Sequence, residues 1–220
     1  MQRWVTFDCY GTLIDWDRGI RAAFADLWAD ADADALLARL HVIEPGLQAD
    51  GSRTYRQVLV AALEAIADAE GLIVPDDRTS ALAESLPSWP PFPETRGALE
   101  DLIDRAWRIA VLSNTDPDFL DASLAGLGVQ VDLRVVASAI GSYKPAIGHW
   151  ETFFRLTGAD RARHVHVAAS LFHDVAPCAT LGLPCVWINR LGETSDIPRA
   201  GEAADLAGLA ERLDAVVPAS

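Results

Sequence analysis

Asp8, Thr12, Ser113, Lys144 and Asp174 are the residues of this chain whose types and spacing could do nucleophilic chemistry. Asp8 ends the apolar run of "VTFDCYGTLIDW", with Gly11 and Thr12 just beyond it. A glycine lets the backbone bend tightly there, so the carboxylate can meet a ligand beside the amides of the turn and the Thr12 hydroxyl. A carboxylate attacks poorly when fully solvated and better when oriented and partly desolvated. An ammonium close by keeps it ionised, and Lys144, in "GSYKPA", is the only lysine of the chain. "VLSN" brings Ser113 and Asn114 to the end of a second apolar run, and "HVAASLFHDV" brings Ser170, His173 and Asp174 to the end of another. An acid such as Asp174 also suits a helix start for purely electrostatic reasons. Thr115 or Asp116 could cap the helix that starts at Pro117, which leaves Ser113 and Asn114 free for a ligand.

Elements must carry these residues to one place. Short Val- and Ile-rich runs predict strands at Arg3–Cys9, Trp107–Ser113, Leu133–Ser138, His164–Ala169 and Pro184–Asn189. Helical patterns lie between them at Thr95–Ala106, Pro117–Leu127, Ala146–Leu156 and Asp174–Leu181. This alternation predicts an α/β fold with a doubly wound parallel sheet. It breaks after the first strand, where Arg18–Trp28, Asp32–Leu40, Arg53–Ala69 and Asp77–Leu86 read as helices only. "PSWPPFPET" then reads as a stiff return linker. Residues 17–87 are therefore expected to form a helical cap inserted into a core of residues 1–16 and 88–220. The cap would lie over the carboxyl ends of the strands, where this architecture binds ligands.

Composition narrows the partners. Half of the 220 residues are apolar and the net charge is -14. No basic cluster is available to neutralise phosphates, so nucleic acid is not expected. No run of 18 apolar residues offers a membrane span. The chain enters its first strand without a signal-peptide layout. Cys9, Cys178 and Cys185 read as reduced core thiols, so a cytoplasmic protein is expected.

Taken in order, "FDCYGT", "VLSN", "YKP" and "FHDV" resemble the four motifs of the haloacid dehalogenase superfamily, over almost the whole chain. The resemblance implies Asp8 as nucleophile, Ser113 as the second-motif hydroxyl, Lys144 as the cation and Asp174 as the last acid. Phosphatases of that superfamily carry an acid two residues after the nucleophile, and another in the fourth motif to hold Mg²⁺. Here those places hold Tyr10 and Ala169. Both departures favour a halide leaving group, which needs neither protonation nor a metal. The D-x-Y-G-T form resembles the type II 2-haloacid dehalogenases. It implies attack by Asp8 on a small 2-haloacid, an aspartyl ester, and hydrolysis to a 2-hydroxyacid without cofactor. A phosphatase-type member using Mg²⁺ and a non-catalytic small-acid-binding member are the alternatives. Homodimers are common in the family, and the apolar helix 55–67 could offer a face.

The expected pocket joins Ser113, Asn114 and Tyr10 to Trp16 and the 44–55 stretch of the cap, with Trp150, Ser170, Phe172 and His173 on the core side. The type II arginine that receives the halide has no counterpart here. Glu44 stands near its place, Arg53 and Arg56 follow later, and Leu171 replaces the usual fourth-motif asparagine. The His173 imidazolium is expected to substitute for that arginine, with activity falling as pH rises through its pKa.

Overall fold

A computed structural model describes residues 2–49 and 51–219 of the chain. Six strands pair in parallel: β1 Arg3–Phe7, β2 Trp107–Ser113, β3 Leu133–Val136, β4 His164–Ala168, β5 Cys185–Ile188 and β6 Gly201–Ala203. Their order is β3-β2-β1-β4-β5-β6. The chain builds outward from β1 on one side, then returns to its other side with β4. The crevice above β1 and β4 is thus a topological switch point. Register brings their tips level, with Phe7 opposite both Val111 and Val167. The residues that follow those tips face one another for this reason. β1, β4 and β5 are buried at every residue, so none has a polar face toward solvent, and the polar side chains of Thr6, His164 and His166 are held inside.

Between β1 and β2 run the helices α1 Trp16–Leu27, α2 Ala33–Gln48, α3 Tyr55–Glu70, α4 Ala81–Ser85 and α5 Thr95–Asp104. Asp15 and Asp32 cap α1 and α2 through their side chains, and Thr54 with Gln57 forms a capping box on α3. Gly71 ends α3 in the left-handed conformation. α2 runs eight residues past the expected end at Leu40, through Pro45. A proline there leaves the carbonyl of His41 without its helical donor, but His41 is exposed and can bond to water. The extension matters because it carries Glu44 and Gln48 over the strand tips. The return linker is fixed by Trp89, whose ring fills the space a side chain at Gly19 would need.

Downstream of β2 lie α6 Pro117–Leu127, α7 Ala137–Ile140, α8 Gly148–Thr157, α9 Ala176–Leu181 and α10 Leu209–Val216. Three departures from the sequence reading are local. α7 begins at Ala137, so β3 stops short of Ser138. Leu171–Val175 winds as a single π turn before α9. β6 and α10 were not expected, because "GEA" has no apolar run and α10 is short. One apolar core joins a face of the sheet to the inserted helices, and a second, around Trp4, Trp150, Phe153 and Trp187, fills the other face. Among the described residues, no helix is long and apolar enough to cross a membrane.

Candidate active site

Asp8 follows β1 directly, and its amide donates to the carbonyl of Val167 in β4 (3.0 Å). Gly11 adopts φ 88°, the left-handed value that lets the chain turn back. Thr12 then donates to Asp8 Oδ2 (2.7 Å) and accepts from the amide of Ala169 (2.9 Å). The first and fourth motifs are therefore tied together through one hydroxyl.

Lys144 reaches the same point. Its Nζ donates to Asp8 Oδ1 (2.8 Å), Asp174 Oδ1 (2.7 Å) and the carbonyl of Leu112 (2.9 Å). All three donors of the ammonium are used, and the residue is buried. Burial alone would lower its pKa, but Asp174 and Asp8 outweigh that and push it up. Burial likewise opposes ionisation of Asp174, while Lys144 and a hydrogen bond from His166 hold it well below the usual carboxylate range. Asp174 Oδ1 carries both bonds, and its Oδ2 has no hydrogen-bond partner among the described residues.

The lysine's backbone is clamped by Asn114. Its Oδ1 accepts from Lys144 N (2.7 Å) and its Nδ2 donates to Lys144 O (2.9 Å). Asn114 is thus engaged in positioning Lys144, which corrects the expectation of a free amide. Ser113 is fully buried with no partner for Oγ among the described residues, while its carbonyl accepts from His149. Asp116 does not cap its own helix through its side chain. Its carboxylate instead accepts from the amides of Tyr55 and Arg56 (2.9 Å each), seating the start of α3 on the core.

A cleft of about 380 Å³ opens beside Lys144, lined by Gln48, Gly51, Tyr143, Phe172 and His173 among others. The π turn projects Phe172 and His173 into it, as such turns do at functional sites. Ser170 caps that turn, accepting from the amide of His173 (3.0 Å) and lying 3.1 Å from its Nδ1. With the Ser170 hydrogen on Nδ1, the ring hydrogen of His173 belongs on Nε2. Burial lowers the His173 pKa, so the neutral ring is the form present at neutral pH. That corrects the expectation of an imidazolium.

Two further expected wall residues lie elsewhere. Trp150 is only 1% exposed and packs on His166 in the second core, because α8 turns its apolar face to the sheet. Tyr10 points to α6, with its hydroxyl 3.1 Å from Ser123 and its ring against Tyr55 and Trp89. Trp16 donates to the Tyr55 hydroxyl (3.2 Å). Arg53 bonds to the carbonyl of Leu47, and Arg56 pairs with Asp118 at the surface. Gln48 falls within the 44–55 stretch expected at the wall, but sequence reading does not single it out. It accepts from Asn114 (3.3 Å) and donates to Glu44 (3.0 Å), bridging the inserted helices to the lysine clamp. Its signal is the i, i+4 pairing with Glu44, visible only if α2 is carried through Pro45.

Glu44 sits behind Gln48, hydrogen-bonded also to Tyr55, and burial raises its pKa to about 7. The fold therefore favours its protonated form, an advantage present below the ordinary glutamate range and lost as pH rises through about 7. Glu44→Gln should stabilise the protein by about 1–3 kcal/mol at pH 8 and by little at pH 4.5. Urea unfolding at both values checks this, and a difference independent of pH would contradict it.

The donor set does not suit Mg²⁺. Residue 169 is alanine, Asp174 is committed to Lys144 and His166, and no cluster of three His, Cys, Asp or Glu side chains among the described residues could hold a metal.

Comparison with known proteins places the fold and the family of the chain. The family model for haloacid dehalogenase-like hydrolases matches residues 2–176. An (S)-2-haloacid dehalogenase from Pseudomonas sp. strain YL is 28% identical over 193 residues, covering 86% of this chain and 83% of that protein. The crystal structure of the L-2-haloacid dehalogenase RSc1362 superposes with a TM-score of 0.85 at 23% identity, covering 97% of this chain and 99% of that one. A Xanthobacter autotrophicus L-2-haloacid dehalogenase with chloropropionic acid covalently bound gives 0.83 at 18% identity, covering 96% and 98%. On the match of its family model, the chain belongs to the haloacid dehalogenase-like hydrolases.

Proposed function

We propose that this hydrolase dehalogenates a small 2-haloacid through an ester on Asp8, without a metal. The observation that carries this reading is the Asp8 carboxylate held by Lys144 and Thr12, with Tyr10 and Ala169 in the places where a phosphatase of the family would have acids. The names of its relatives support the same chemistry. Asp8 attacks C2, the carbon–halogen bond breaks, and the halide leaves with its electron pair. Water then adds at the Asp8 carboxyl carbon, its O–H directed to Oδ2 of Asp174. The acyl C–O bond of the ester breaks, one hydrogen of the water ends on the leaving oxygen to give the 2-hydroxyacid, and the other passes to solvent as Asp8 returns to the carboxylate. Lys144 balances the charge throughout.

Residues 17–87 serve as the cap in this reading, and residues 1–16 and 88–220 as the core. In this reading the Nε2–H of His173, which lines the cleft, donates to the substrate carboxylate, and the buried Ser113 hydroxyl is assigned as its second donor. Because burial lowers the His173 pKa, any fall in activity from its loss of a proton should lie at lower pH than for a free histidine, and a fall centred above the ordinary histidine range would contradict this.

A halide-release screen over 2-haloacids with and without EDTA tests the proposal, with para-nitrophenyl phosphate as control. Halide release unaffected by EDTA is expected. Phosphate ester hydrolysis that needs Mg²⁺, with no halide release, would overturn it.

A further inference from the structure

Behind Asp174 runs a chain of buried polar side chains that the reaction above leaves unused. His166 places Nε2 3.0 Å from Asp174 Oδ1 and Nδ1 2.7 Å from Thr6 Oγ1. Thr6 Oγ1 also lies 2.8 Å from Nε2 of His164. All four residues are fully buried. Their meeting follows from register: Thr6 in β1 stands opposite His166 in β4, and His164 is two residues back on the same face.

Hydrogen accounting gives the chain a direction. Ionised Asp174 can only accept, so His166 carries its hydrogen on Nε2. With that hydrogen on Nε2, Nδ1 is left to accept from the Thr6 hydroxyl. Thr6 has one hydrogen to give, so its oxygen accepts from Nε2–H of His164. The remaining His164 Nδ1 has no partner among the described residues, and the ring sits against Phe153 and Phe154. That ring stays neutral, since burial lowers its pKa to about 3. Reversing the chain would need a second proton on His166 and would bury an unpaired N–H on His164, the worse orphan.

We propose that His166 is a positioning residue that sets which oxygen of Asp174 serves the water. With Lys144 and His166 both on Oδ1, the carboxylate cannot rotate without losing two charge-assisted bonds. Oδ2 is left as the unpartnered acceptor. Thr6 and His164 hold His166 in the tautomer this requires. The inference rests on the ester route proposed above and assigns His166 to its second step alone.

Rapid-quench kinetics with mass spectrometry of the ester separates the two steps. His166→Leu should slow ester hydrolysis about tenfold or more, the worth of a hydrogen bond to a charged group. Ester formation should change by no more than about threefold, so the ester accumulates. His166→Gln keeps a side-chain N–H donor and should recover most of the hydrolysis rate. Equal loss in both steps, or a Gln variant no better than Leu, would overturn the proposal. Should the wild type release no halide from any 2-haloacid, the ester route has failed, and ¹⁵N NMR of the histidine rings decides the positioning claim alone. A His166 ring protonated at Nε2 is expected, and one protonated at Nδ1 overturns it.

Discussion

Asp8→Asn abolishes turnover, lowering it by about 10⁴-fold or more, while the protein stays folded. The carboxamide keeps an oxygen for the Lys144 ammonium and can donate to Thr12, whose hydroxyl already accepts from Ala169. Lys144 retains its second anionic partner in Asp174. What is lost is the nucleophile. Halide release and thermal unfolding measured on the same preparation check the two halves of this expectation. Turnover within about tenfold of wild type would remove Asp8 from the chemistry.

Lys144→Met acts on both reactivity and stability. Turnover should fall by about 10²–10³-fold, the scale for removing one preorganised charge contact. Removing one partner of a buried ion pair also costs about 3–5 kcal/mol, because the other is left uncompensated. Here two carboxylates are left. The pH dependence reports the same change with opposite sign. In the wild type, Asp174 has a lowered pKa, so its contribution to stability is lost as pH falls through that value. Without Lys144, burial of Asp174 becomes the larger influence and its pKa rises. The variant should then gain stability relative to wild type on acidification from pH 8 to 5. Urea unfolding across that range reads the sign, and a deficit constant with pH would contradict the charge argument.

Much of this arrangement is legible in the sequence, for identifiable reasons. Strands buried on both faces are short and rich in Val, Ile and Trp, so β1, β2, β4 and β5 announce themselves, and the residues after β1 and β4 fall at the switch point. A single lysine in an arginine-rich chain directs attention to Lys144. The remainder depends on contacts no local pattern encodes. Asn114 reads as a ligand amide, but tertiary placement turns it on the backbone of Lys144. Trp150 is spaced like a wall residue, yet the face of α8 that carries it meets the sheet. The helix read from Asp32 stops at Leu40, short of Pro45, which hides the placement of Gln48. β6 is too short and too polar to stand out, being fixed by its pairing with β5.

Single turnover in H₂¹⁸O tests the central claim most directly. A covalent route through Asp8 sends water to the carboxyl carbon of the aspartate, not to C2 of the substrate. With enzyme in excess, ¹⁸O should appear in the peptide that contains Asp8, and the first molecules of 2-hydroxyacid should carry none. Label in the first product with none on Asp8 would mean that water attacks the substrate itself, and Asp8 would not be the nucleophile.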